Sequence, residues 1–260
     1  MRNYEKLNPE KPITSFSTKV ERVEGRLANA IIDAGASYRK EDGVRLPYSF
    51  LVIVSGGEVR EKNYFKIISD PKIFKRVRIE FVPDPGKGNP DRLLEVAKYK
   101  REHYQTSQEE EPDKIFIVSD VDHFRVELLR IKPECKKLSI YLIISNSCFE
   151  IWLYYGKFDT RPSDFIIPND MLKISQSFKT FLGKKVRGGI NPIRAIFDIS
   201  QNIKNARANY TEDKEGIPEL FATNMYILGE ELLPLIKTEL ENIKQENEIL
   251  RKSYNSAESP

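Results

Sequence analysis

Apolar positions gather into short runs from residue 48 onward, and each run ends in polar or turn-forming residues. "YSFLVIVSGGE" (48–58) predicts a buried strand entering a Gly-Gly turn, with a helix through "EKNYFKIIS" after it. "VRIEFVP" (77–83) alternates apolar and polar and suits a half-buried strand. "DPGKGNPDRLLEVAKYKREHY" predicts a turn-rich loop and then an amphipathic helix that starts near Asn89 or Asp91. "KIFIVSD" (114–120) and "LSIYLIIS" (138–145) predict a third and a fourth strand, with a helix near 124–132 between them. Strand and helix alternate, so the expected class is α/β with a mostly parallel sheet flanked by helices.

The two flanks differ from this middle. Residues 1–46 are polar and weakly periodic, with one helical stretch at "VERVEGRLANAIIDAG" (20–35), and are expected to be an N-terminal arm or insertion. Beyond "FDTRP" the pattern turns helical, near 169–181, 191–208 and 217–252, with Pro234 expected to break or kink the last segment. The expected organisation is therefore an arm (1–46), a catalytic-type domain (47–165) and an α-helical C-terminal region (166–260). The heptad-like tail makes a homodimer conceivable.

Composition narrows the function. The net charge is only +3 over 260 residues, so any nucleic-acid surface must be local. Cys135 and Cys148 form no CxxC pair, which argues against a disulfide framework or structural zinc and for a reducing cytoplasm. No 18-residue apolar run and no apolar leader occurs, so no membrane association is expected.

Chemistry is suggested at the strand ends, because parallel sheets carry functional loops beyond their carboxyl edges. Glu58 and Glu61 follow the first strand, Asp120 and Asp122 the third, and Asn146 and Glu150 the fourth. Hard carboxylate oxygens from separate segments suit Mg²⁺ or Mn²⁺. Alternatively, Asp-x-Asp after a strand serves as an Asx turn or helix cap, and Glu61 complements a helix N-terminus. His123 is either a turn histidine or a phosphate contact, and Cys148 beside Phe149 and Trp152 reads as packing.

"VIVSGGEVREKNYF", "IVSDVDHF" and "ISNSCFEIWLYYGKF" together resemble the successive signature blocks of the RloB family, in matching order and spacing over about residues 48–158. In that family a strand leads into Glu-Gly-Glu, a Thr-Glu or similar pair and Asn-Tyr-Phe. Asp-x-Asp-x-His and then Ser-Asn-Pro-Cys-Phe-Glu-x-Trp-Leu follow. The resemblance implies a Toprim-like, metal-dependent α/β centre in a bacterial anti-phage or abortive-infection system, often paired with an ABC-type ATPase and acting as a nuclease on tRNA or DNA. It implies Mg²⁺ (or Mn²⁺) at Asp120 and Asp122 with Glu58 near, Glu150 as a further acid, and Gly57 and Asn146 as loop-shaping residues.

One departure stands out. Gly56 occupies the position where the family resemblance places a strand-end glutamate as general acid/base, and Gly57 follows it. Either Glu58 takes over that role, or the chain is a regulatory pseudoenzyme, or the glycine is an inactivating substitution of a toxic nuclease. Ser147 stands where the family often has proline. Candidate nucleic-acid contacts are Lys87, Arg92, His123, Arg125, Lys157, Arg161 and "KKVRGG" (184–189), each of which alone also fits a solvated surface. "PGKGNP" lacks the P-loop pattern. Three functions are weighed: a metal-dependent nuclease effector, a non-catalytic partner-binding module on the same fold, and a nucleotide-sugar transferase using Asp-x-Asp with Mn²⁺, against which the "SNSCFEIW" block argues.

Overall fold

A computed structural model of the chain describes residues 48–57, 59–84, 88–107 and 109–257. The expected arm and its helix at 20–35 lie outside these residues. The four apolar runs form β1 (Ser49–Ser55), β2 (Val77–Pro83), β3 (Lys114–Asp120) and β4 (Ile140–Ser145). They pair entirely in parallel, in the order β2-β1-β3-β4. The intervening segments form α1 (Arg60–Lys66), α2 (Pro90–Thr106) and α3 (Arg125–Lys137). Asn89 caps α2 by accepting from the Asp91 N–H at 2.9 Å, with Pro90 at the first helical position.

The alternation of side chains along each strand divides the core into two layers. Phe50, Val52, Val54, Ile115 and Ile117 meet Leu93, Leu94 and Ala97 of α2 and Ile131 and Cys135 of α3. Leu51, Ile53, Phe116, Val118 and Ile143 face the other way and meet Tyr64 and Phe65 of α1. The same layer takes in α4 (Glu150–Tyr155), α5 (Ile174–Lys185), α7 (Ile199–Ala208) and α8 (Met225–Ala257). A short helix, α6 (Pro192–Ala195), packs against α1. The helical C-terminal region thus shares its apolar core with one face of the sheet. Each fully buried Phe, Leu or Ile there contributes roughly 1.5–3 kcal/mol.

Two expectations for the helical region need correction. The break expected at Pro234 does not occur: α8 continues through it from Met225 to Ala257. Leu228, Leu232, Leu235, Ile236, Leu240 and Ile243 are buried along that helix, and this burial outweighs the roughly 3 kcal/mol that an internal proline costs. Residues 217–224 are not helical. Asp213 accepts the N–H groups of Glu215 and Ile217, Gly216 takes φ +71°, and Glu212 bridges Pro218. An Asx turn with glycine where the chain reverses competes successfully with helix here. The chain then lies along the outer edge of β4: Thr223 bridges Ser145, and the Asn224 Oδ1 accepts the Ile144 N–H at 2.6 Å. That contact covers an edge that would otherwise be open to pairing.

Candidate functional site

In a parallel sheet the crevice for function opens where neighbouring strands send their crossovers in opposite directions. That point lies between β1 and β3, since β1 leads outward to β2 and β3 leads the other way to β4. A cleft of about 380 Å³ sits there, lined by Gly56, Gly57, Arg60, Glu61, Asp120, Asp122, His123, Glu150 and Lys179, among others. Each carboxylate arrives on a different element: Glu61 in the first turn of α1, Asp120 as the last residue of β3, Asp122 just beyond it and Glu150 in the first turn of α4.

Among the described residues the charges are not balanced: four carboxylates, of Glu61, Asp120, Asp122 and Glu150, line the cleft beside two permanent cations, Arg60 and Lys179. Glu150 is 2 % exposed and holds both of them, with Arg60 Nε 2.9 Å from Oε1 and Lys179 Nζ 3.8 Å from Oε2. Burial, reinforced by the carboxylates of Glu61 and Glu150, pushes the Asp120 carboxyl well above the ordinary range. Burial also raises Glu61, and Glu150 adds to the shift. Burial alone would lower the Lys179 ammonium, but Glu150 and its neighbouring acids outweigh that effect and raise it.

Asp122 is fixed differently. It takes φ +31°, its Oδ1 accepts from Ser175 of α5 at 3.2 Å, and its Oδ2 lies 3.3 Å from Nδ1 of the exposed His123. The loop after β4 is held from behind: Asn146 Nδ2 donates to the Pro218 carbonyl, and the Asn146 carbonyl accepts from Phe221. Asn146 therefore ties the loop down without lining the cleft. The Asn146–Ser147 peptide is cis. Cys148 is fully buried, and burial next to Glu150 and Asp120 pushes its thiol far up, which fits packing and opposes a nucleophilic role.

The glycines are packed as glycines. A Cβ on Gly57 would fall 1.8 Å from the Glu61 carboxylate, so the bare Cα leaves room for that acid to turn into the cleft. A Cβ on Gly56 would fall 2.4 Å from the Cα of Gly88, which itself takes φ +68° in the loop before α2. Main chain thus fills the space next to the strand-end position.

Of the residues proposed from sequence, Gly56, Gly57, Asp120, Asp122, His123 and Glu150 meet in this cleft. Glu58 and Lys87 lie outside the described residues. Arg92, Arg125, Lys157 and Arg161 do not line it. Arg92 pairs with buried Asp84 at 2.7 Å, Lys157 with Asp198 at 2.6 Å, and Arg125 with Asp213 and Glu215. Arg161 donates to the Asn209 carbonyl at 2.9 Å. The sequence reading left out Arg60 and Lys179, and it placed Glu61 among the strand-end acids with a helix-dipole role as the alternative, without naming it a site residue. The pair Arg60-Glu61 ahead of Asn-Tyr-Phe did carry a signal for Glu61; nothing in the sequence marked Lys179, which only the docking of α5 brings to the site.

A family model described as RloB-like protein matches residues 51–232, most of the chain. The chain belongs to the RloB-like family. The match runs from β1 through the carboxylate cleft and into α8, so the family covers the sheet together with the helices that close its second face. Comparison with curated proteins and with solved structures gives no match.

Among the described residues no three His, Cys, Asp or Glu side chains are gathered as a ready-made metal cage. Mg²⁺, however, keeps several waters and is commonly held by one or two carboxylates. The excess of carboxylate over permanent cation among the described cleft residues, with burial pushing the Asp120 carboxyl up, fits such a hard ion in donor chemistry and in charge.

Proposed function

We propose that this RloB-like protein is a metal-dependent, Toprim-like nuclease effector acting on tRNA or DNA in a bacterial anti-phage system, under the control of an ABC-type ATPase partner. The observation that carries the reading is the convergence of Asp120 and Asp122 with Glu61 and Glu150 in one cleft at the point where the sheet's crossovers diverge. Membership of the RloB-like family supports the defence setting and the partner.

In this reading Asp120 and Asp122 hold Mg²⁺ or Mn²⁺, and Glu150 is a structural acid already neutralised by Arg60 and Lys179. The bound ion would stabilise charge on the scissile phosphate and favour an ionised attacking water. Glu61, half-buried and not engaged in an ion pair among the described residues, is the group able to take a proton inside the cleft. Lys179 and Arg60 keep the acids from repelling one another and place positive charge beside the phosphate. His123, exposed at the rim, contacts a phosphate oxygen or passes a proton to solvent.

One observation favours the second reading, a non-catalytic partner-binding module. Position 56 has no carboxylate, and the Gly88 main chain fills the space beside it. Incubating the purified chain with tRNA and with DNA in Mg²⁺, alone and with its ATPase partner, separates the two. Cleavage by the wild type and its loss in Asp120→Asn and Glu61→Gln is the expected result. An inert wild type under all of these conditions would establish the module reading instead.

A further inference from the structure

Residues 171–195 contain Lys173, Lys179, Lys184, Lys185, Arg187 and Arg194 and not one Asp or Glu, in a chain whose net charge is only +3. This run forms α5, the turn after it and α6. It is anchored at the cleft at both ends. Ser175 and Lys179 of α5 reach Asp122 and Glu150, and α6 packs against α1, which supplies Arg60 and Glu61.

The buried side of α5 carries Ile174, Ser175, Phe178 and Leu182, which leaves Lys173, Gln176, Lys179, Thr180, Gly183 and Lys184 exposed. Lys179 and Lys184 stand about 140° apart around the helix and so frame this face: one edge borders the cleft, the other a groove with Thr180 and Phe181. The surface is open, since a Cβ on Gly183, Gly188 or Gly189 would meet nothing within 4 Å.

The cations differ in availability. Lys173 pairs with Asp170, Lys179 with Glu150 and Lys185 with Asp164. Lys184, Arg187 and Arg194 are exposed and have no ion-pair partner among the described residues. By contrast, Arg92, Arg125 and Lys157 are already paired with carboxylates. A run of exposed cations without a single acid, anchored at a carboxylate cleft, matches a polyanion whose one reacting phosphate enters the cleft while its neighbours need neutralising.

We propose that the α5–α6 face binds the phosphodiester backbone of the substrate, with Lys184, Arg187 and Arg194 neutralising phosphates that flank the one in the cleft. The inference rests on the nucleic-acid reading above and assigns its binding surface. An acidic protein surface is the competing occupant.

The test measures binding of fluorescein-labelled tRNA, single-stranded DNA and duplex DNA by anisotropy across a KCl series, with Ca²⁺ replacing Mg²⁺ to hold back cleavage. The proteins are the wild type, the triple variant Lys184→Gln/Arg187→Gln/Arg194→Gln, and a control, Lys136→Gln/Lys137→Gln, on exposed cations at the far end of α3. The triple variant is expected to bind at least about tenfold more weakly, with the slope of log K against log salt smaller by about 2. The control should match the wild type, and the three ligands show which nucleic acid the face prefers.

Unchanged binding in the triple variant overturns the surface, as does equal loss in the control or a wild type that binds none of the three. Asp120-dependent cleavage, measured separately, reports on the nuclease reading whichever way the binding falls. If the triple variant instead loses only its ATPase partner in a pull-down while nucleic-acid binding persists, the face is a protein-docking surface and the inference fails. Unchanged melting temperatures confirm that these exposed substitutions leave the fold intact.

Discussion

A side chain on Gly56 would begin 2.4 Å from the Cα of Gly88, so the end of β1 and the loop before α2 touch main chain to main chain. The contact works only while both positions lack a Cβ or the loop moves away. Gly56 is therefore matched to its surroundings rather than standing beside an empty space for a glutamate.

Gly56→Ala should consequently destabilise the protein by about 1–3 kcal/mol, the cost of overpacking a fitted site. Gly56→Glu should be at least as destabilising and should not by itself raise nuclease activity. Thermal melts of both variants check this; a melting temperature equal to that of the wild type would show that the Gly88 loop yields freely.

Glu61→Gln should leave the melting temperature close to that of the wild type and lower any Mg²⁺-dependent cleavage by about 10²–10⁴-fold, the usual worth of a positioned base. Single-turnover rates at saturating protein measure it. A variant that cleaves at the wild-type rate would remove Glu61 from the chemistry.

The raised carboxyls of Asp120 and Glu61 make the metal-free protein sensitive to pH. Their ordinary values are 3.8 and 4.5, and the folded state holds their protons more tightly than the unfolded chain does. The stability they contribute is complete below about pH 4 and is lost as the pH rises through the raised values. Asp120→Asn removes most of this dependence, so its melting temperature should exceed that of the metal-free wild type by an amount that grows from pH 4 to pH 8, by about 2–4 °C for each kcal/mol. Added Mn²⁺ should raise the wild type only. Parallel melting curves across that pH range would disprove the burial of charge at Asp120.

Lys179→Met leaves Glu150 with Arg60 as its one remaining ion-pair partner among the described residues and takes positive charge away from Asp120. The expected cost is about 1–3 kcal/mol, as for a buried acceptor that loses a partner. Denaturant midpoints measure it, and affinity for Mn²⁺ by calorimetry should rise as the cleft becomes more negative.

The amide of Asn205 in α7 donates to the carbonyls of Tyr155 and Phe158 at 2.8 and 3.0 Å, fastening the C-terminal helices to the end of α4. Asn205→Ala strands these carbonyls in the core and should cost about 1–3 kcal/mol in chemical denaturation. A neutral result would mean that packing alone holds α7 in place.

The sequence by itself determined the α/β architecture. The five-residue run Phe50–Val54 and its counterparts in β3 and β4 are short, apolar and rich in β-branched residues, which marks buried strands, and Asn89-Pro90 and the glycine turns punctuate them locally. It also located Asp120, Asp122 and Glu150, because strand ends in a parallel sheet converge whatever packs around them. Only the tertiary structure decided which cations join them. Lys179 is distant in sequence from every acid it meets, and its helix reaches the cleft because Phe178 and Leu182 bury themselves in the core, Phe178 against Tyr154 of α4. Glu61 turns inward because Gly57 has no Cβ, and α8 runs through Pro234 because six buried aliphatic side chains outweigh one missing hydrogen bond. Local pattern fixes which segments are strand or helix; the sum of non-local burial fixes which charges must share a cleft.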